Sequence, residues 1–495
     1  MIRRLLDGGR APLVGALLMV LANATTHMLM LPPFYAVDEG RHLGYAVAIA
    51  EGRIPHVLEQ IDPQSIGATE IKGTNIQAAA AHPPLYHAIV GVPFKKAVAS
   101  GKVAIGVRFA RSVSIIFGLA AVVMAWRILR TLLPRRDDLV ALTLGAIACL
   151  PIFTFATSVA YNDSLAMLAV TGAFASFCSA AVNGFRRSLY IECVIWACVA
   201  GLTRLTALLA IAPLGIGWWI VMARKNDASR IRRHLFGALT AAGLAAAVAA
   251  TSGWFYLRSL SIYGDPTAAS ALFQRLSRTP NGYFNAFIMR PGTLYEQHWT
   301  RIVGGVILPA SSERYAHLLM ALAGIGGAVL LVRLLRKRPL PSLDPSLRLP
   351  WAMVAISAAI IVGLALTFHA KGGDLTPRYI LGVVWLQMLV LMVPMTWPRR
   401  PLLAVGVLFS MALMHFLVMD AYAAEQIPDL LLTPEDPRRK GIDFALAIGI
   451  RKTGVPLPEV WFVGALALFT TGLVIVLDAF TRSYRQTLVS EPPAA

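Results

Sequence analysis

The sequence predicts an all-α polytopic membrane protein of about twelve transmembrane helices, with interfacial helices in its first external loop. Three observations carry that expectation. The chain is 57% hydrophobic and only 14% charged, where soluble domains carry about 25% charged residues. Apolar windows of about 20 residues, long enough to cross hydrocarbon, recur from one end to the other and leave no room for a soluble domain. Arginines cluster on short connections that alternate with longer, acid-rich loops, the positive-inside pattern.

The expected spans lie near 11–31, 109–130, 139–160, 163–183, 189–203, 205–222, 235–253, 315–335, 350–369, 378–396, 402–420 and 459–480. The first follows Arg3, Arg4 and Arg10 and lacks a small-x-small cleavage site before Pro32-Pro33, so it reads as an uncleaved span. The stretch 84–94, opened by Pro83-Pro84 and closed by Lys95-Lys96, is too short to cross and reads as an interfacial helix. Residues 1–485 then form one transmembrane domain, with 486–495 as a tail. Both termini are placed in the cytoplasm, and the loops 32–108, 254–314 and 421–458 face outside. The formal net charge of +19 sets topology and meets anionic headgroups; its distribution argues against nucleic acid. Cys149, Cys178, Cys193 and Cys198 all fall in apolar segments and imply neither a metal site nor a disulfide framework.

The chemistry-bearing residues gather at the external face. Asp38-Glu39 follows the first span, with Pro32-Pro33 before it and Gly40 after it. Ionised groups so close to hydrocarbon are costly. On a helix the two side chains point about 100° apart, while Asp38 and His42 share a face. Catalysis and helix capping are both open for this pair. His82-Pro-Pro-Leu-Tyr86 brings His82 to the headgroup layer. Asp163, in a turn of almost no length, suits a helix cap or a site. Arg204, Arg258, Lys371 and Arg378 stand at outer boundaries, where a guanidinium or ammonium either binds phosphate or snorkels. Tyr379 follows Arg378. No Walker loop, Rossmann fingerprint, nucleophile elbow or His-Glu-x-x-His is present.

The order of these motifs resembles the GT-C superfamily of membrane glycosyltransferases. It runs Asp-Glu after span one, His82-Pro-Pro-Leu-Tyr, Asn162-Asp163, Tyr263-Gly-Asp-Pro and Pro377-Arg-Tyr-Ile-Leu. The nearest type is the phospholipid-carrier-dependent one, with protein O-mannosyltransferases and aminoarabinose transferases. Pro377 stands where the family carries Gly. The resemblance implies transfer of a sugar from a polyprenyl-phosphate carrier to a lipid, glycan or protein acceptor at the extracytoplasmic face of the inner membrane. It also implies that Asp38 and Glu39 are the catalytic acids and that His82, Asp163, Arg204, Arg378 and Tyr379 stand at substrate-binding positions; His42 by its spacing from Asp38, and Arg258 and Lys371 by their boundary location, are further substrate-binding candidates. No nucleotide is needed. Some members use a divalent metal and others do not; Asp38, Glu39 and His82 are the residues that would host one. The rival classes are an O-antigen ligase or polymerase using diphosphate-linked glycans, and a transporter or flippase.

Overall fold

The structure, a computed structural model, describes residues 9–69, 71, 74–134, 136–224, 229–300, 314, 317–322, 324, 325, 328, 345–393, 401–426, 450 and 453–490. Among the described residues there is no named strand, only an isolated bridge between Gln60 and Ile76.

The helices are α1 (Ala11–Met30), α2 (Glu39–Ala50), α3 (Leu85–Ala99), α4 (Val103–Leu132), α5 (Asp137–Ala148) and α6 (Pro151–Ser158). They continue as α7 (Asp163–Asn183), α8 (Arg187–Gly201), α9 (Leu205–Ile211), α10 (Pro213–Ala223), α11 (Arg230–Tyr263) and α12 (Ala269–Arg275). The rest are α13 (Pro291–Thr300), α14 (Arg348–Ala370), α15 (Val384–Met392), α16 (Pro401–Gln426) and α17 (Pro458–Ser490).

Among the described residues, eight helical segments are long and apolar enough to cross a membrane, or nine if the bent pair α5–α6 is one span. This is a multi-pass membrane protein, and the count falls short of the expected twelve for local reasons. The third expected span breaks at Cys149-Leu150, where α5 and α6 meet at 62°. Asn23 donates to the freed carbonyl of Ala148, and His415 bonds that of Cys149, so side chains satisfy two of the carbonyls that the break releases. The fifth is only the 15-residue α8. The tenth starts as a 3₁₀ turn, Pro377–Val383, because Pro377 fixes φ and withholds a donor. Most of the eighth, 315–335, and most of the loop 421–458 lie outside the described residues.

α7 forms the centre, buried along most of its length by α4 and α8. The first and last helices, α1 and α17, pack closely along each other. Their contact depends on a glycine pair: a Cβ on Gly15 would stand 2.6 Å from the carbonyl of Gly472, and one on Gly472 would stand 2.5 Å from that of Gly15. Small residues permit this backbone approach where lipid offers no hydrophobic drive. α2 and α3 pack together and stay short of a span. Tyr263-Gly-Asp-Pro266 seals this layer from the other side. Tyr263 Oη accepts from the amide of Val57 at 3.0 Å, and Asp265 accepts from the amides of Thr267, Ala269 and Ser270. That motif is therefore a brace.

Candidate active site

Asp38 is the N-cap residue of α2, with φ of +70° in the left-handed region. Aspartate is one of the few non-glycine residues that enter this region, at a free-energy cost that its surroundings offset. Its side chain makes no capping bond, which settles the local ambiguity against a capping role. Its carbonyl starts the helix, while Oδ1 accepts from Arg41 at 2.5 Å and Oδ2 from Arg378 at 3.0 Å. Each carboxylate oxygen can accept twice, so a lone pair remains on each.

Glu39 is the first residue of α2 and points away from Asp38, toward Arg111. It is fully buried and forms a bidentate pair with Arg111, at 2.8 Å and 2.6 Å. Its oxygens also accept from the amides of Phe34 and Ala160. The two acids of the motif thus have different surroundings, one facing a cavity and the other enclosed by protein.

α7 contributes Asp163 in its first turn. Here too the side chain does not cap. It pairs with Arg204 and lies 4.0 Å from Arg378. Arg204, at the N-cap of α9, reaches His82 Nε2 at 3.2 Å and lies over the Tyr379 ring at 5.4 Å. Arg378 lies over the Tyr161 ring at 5.4 Å. The result is a continuous chain of alternating charge, Arg41–Asp38–Arg378–Asp163–Arg204. Within it, Nε and Nη1 of Arg378 are buried without a hydrogen-bond partner among the described residues. Unused guanidinium donors beside a second guanidinium suit a phosphate. Burial pulls Arg204 down to about 10, so it stays cationic at neutral pH.

Two spaces meet at Arg378 and Tyr379. A narrow groove begins at Asp163, Arg204 and Arg378 and is otherwise mostly apolar, with Met167 and Val170 of α7, Ala210 of α9 and Ile361 of α14 on its walls. From Asp163 to Val170 it descends about 10 Å along α7. On the other side is a polar chamber of about 560 Å³, which includes Asp38, Arg41, Arg278, Arg290, Gln297 and Arg378 in its lining. Arg278 there is held by Asp374 at 2.7 Å and 2.8 Å.

The remaining sequence-selected residues fall on both sides of this division. His42 lies beneath the site: its Nδ1 is 3.0 Å from His87 Nε2, and its ring packs on Tyr161. Arg258 donates to the carbonyl of Ile54, bracing α11 against the first loop, and lines neither space. Lys371 is exposed at the end of α14 and also lines neither. Boundary position alone had selected these two cations, and neither is brought to the Arg378 junction. The three suggested metal hosts do not converge, since Glu39 is bonded to Arg111 and His82 to Arg204. Among the described residues no group of three or more His, Cys, Asp or Glu is placed to hold a metal. Arg41, Arg111, Tyr161, His87, Arg278 and Arg290 complete the surroundings and were missed, because each stands outside the recognised motifs.

The histidines give a pH prediction. Burial first, and then neighbouring charge, holds His42 and His82 well below their usual range and His87 down to about 3. Unfolded histidine titrates near 6.5, so below that pH the unfolded chain binds protons that the folded chain refuses. Stability then rises with pH between about 3 and 6.5 and levels off above. Thermal unfolding in detergent micelles should show this slope, and His87→Gln should reduce it by about one proton. An unchanged slope would contradict the neutral histidine cluster.

No family model matches the sequence, and no curated protein matches it. Among solved structures, the chain is similar to ArnT from Cupriavidus metallidurans bound to undecaprenyl phosphate, with 16% identity, 96% of this chain and 78% of that chain covered, and a TM-score of 0.47. The apo form of the same protein gives 17% identity, 94% and 74% coverage, and 0.44. An oligosaccharyltransferase of Archaeoglobus fulgidus in the apo form gives 13% identity, 94% and 55% coverage, and 0.37.

Proposed function

We propose that this protein is a glycosyltransferase that moves a sugar from a polyprenyl-phosphate carrier to an acceptor at the extracytoplasmic face of the inner membrane, with inversion and with Asp38 as general base. The observation that carries this reading is the meeting of an apolar groove and a polar chamber at one arginine, with a carboxylate on the chamber side. The groove, about 30 Å³ as it stands, would have to widen to take a prenyl tail along its apolar walls. Arg204 and Arg378 at its head suit the carrier phosphate. The acceptor enters the chamber and places its hydroxyl against Asp38. As the acceptor oxygen bonds to C1, its proton passes to Asp38 and the C1–O bond to phosphate breaks. Negative charge grows on the departing phosphate, where Arg378 and Arg204 stabilise it. Attack from the chamber with departure toward the groove inverts C1.

A diphosphate-linked ligase remains the neighbouring class. The carboxylate beside the groove favours the monophosphate reading, because enzymes of the ligase type lean on Arg and His in a late loop and not on an acidic pair in the first. Incubating native membranes with a panel of polyprenyl-phosphate sugars, followed by mass analysis, tests the class directly. Consumption of diphosphate-linked donors alone would overturn it.

The chamber also bears on the acceptor. Arg41, Arg278, Arg290 and Arg378 line it against Asp38 and Asp374, and this excess of cations favours an anionic acceptor. Arg290 is exposed, so its share is modest. Arg290→Gln should raise the acceptor KM about two- to fivefold and leave the donor KM in place. Equal shifts in both would count against the division of the two spaces.

A further inference from the structure

Glu39 and Arg111 have no capacity left for a substrate. All five donor hydrogens of Arg111 are engaged: Nε and Nη2 with Glu39, Nη1 with the carbonyls of Met28 and Leu31, and Nη2 also with that of Pro32. Glu39 in turn accepts two bonds from Arg111, one from the Phe34 amide at 3.1 Å and one from the Ala160 amide at 3.2 Å. The side chains of both residues are within 1% of complete burial.

The pair is bonded to three of the segments that frame the site: the end of α1, the turn into α2 and the turn before α7. Met28 and Leu31 are the end of α1, and the pair absorbs carbonyls the helix leaves open there. Phe34, with φ of +66°, and Asp38, with φ of +70°, bracket the turn into α2. Ala160 lies three residues before Asp163. One ion pair therefore ties the turn that carries Asp38 to the turn that carries Asp163, the two carboxylates between which Arg378 sits at 3.0 Å and 4.0 Å.

We infer that Glu39 and Arg111 are positioning residues, which hold the Asp38 backbone in its left-handed conformation and set the gap between Asp38 and Asp163, and that neither touches substrate. The inference rests on the reading of Asp38 as the base. It changes the role of the acidic motif: its second acid anchors the first.

A cycle of variants separates this role from direct chemistry. Arg111→Gln leaves the Glu39 charge buried without its partner and should lower kcat about a hundredfold through misplacement of Asp38, with less than about a threefold change in donor KM. Glu39→Gln with Arg111→Gln removes both charges. Removing a buried pair together is far gentler than removing one member. The double variant should recover at least about tenfold over the single. Each protein is assayed as the full chain in native membranes with the polyprenyl-phosphate sugar that the wild type consumes. Only folded, monodisperse protein, checked after detergent extraction, enters the comparison. If the single variant does not fold, the double alone decides: activity well above that of Asp38→Asn supports positioning. A folded double variant as inactive as Asp38→Asn would overturn it and return Glu39 to the chemistry. Full activity of Asp38→Asn would instead defeat the base assignment, whatever the double variant does.

Discussion

Asp38→Asn is expected to lower sugar transfer about a thousandfold, within the range that a positioned general base supplies, while the protein still folds and inserts. Asparagine keeps the size of the side chain, and its carbonyl oxygen can still accept from Arg41 or Arg378. It cannot take the acceptor's proton. Because Asp38 stands at the chamber wall and is not packed into the core, the substitution leaves no cavity, and thermal stability should change little. The loss should appear in kcat. Turnover of the carrier-linked sugar in matched membrane preparations measures it, and a variant retaining more than a tenth of wild-type turnover would remove Asp38 from the role of base.

Arg378→Met should cost about a hundred- to a thousandfold, the scale of removing one preorganised donor from developing charge. Arg378 is the group shared by groove and chamber, so its loss acts twice. The departing phosphate loses a guanidinium, and Asp38 and Asp163 lose the cation between them. Arg378→Lys should recover only part of the rate, since an ammonium cannot present the planar fork that spans both carboxylates. Donor KM should rise in the methionine variant, in contrast to Asp38→Asn. If both variants showed the same kinetic pattern, the assignment of phosphate contact to Arg378 would fail.

These expectations draw on features that were unequally visible in the sequence. Asp38, His82, Asp163, Arg204, Arg378 and Tyr379 stand out because each interrupts an apolar run at its outer end, and α2, α7, α9 and the Pro377 turn bring them together. Periodicity also showed that Asp38 and Glu39 point apart, but not what Glu39 meets. Its partner Arg111 lies inside a window that reads as a continuous span, and only the packing of α4 against α1 gives a buried arginine there a reason. Arg278 and Arg290 come from the loop after α11, where nothing in local spacing distinguishes a chamber wall from a solvated surface. Arg258 and Lys371 show the converse. A cation at a membrane boundary has the same sequence signature whether it braces a loop, lies exposed or binds phosphate, and only the position of its neighbours separates the three. Span counting failed for a related reason: hydropathy sees apolar length, but not the break at Cys149-Leu150 or the 3₁₀ start imposed by Pro377.

The most direct test of the central claim follows the anomeric carbon. Wild-type membranes are given a polyprenyl-phosphate sugar of known anomeric configuration, and the product linkage is read by NMR beside release of the free carrier phosphate. The account predicts one carrier phosphate released per sugar transferred, with the configuration inverted, and loss of both signals in Asp38→Asn. Retained configuration, or transfer that persists in Asp38→Asn, would contradict it.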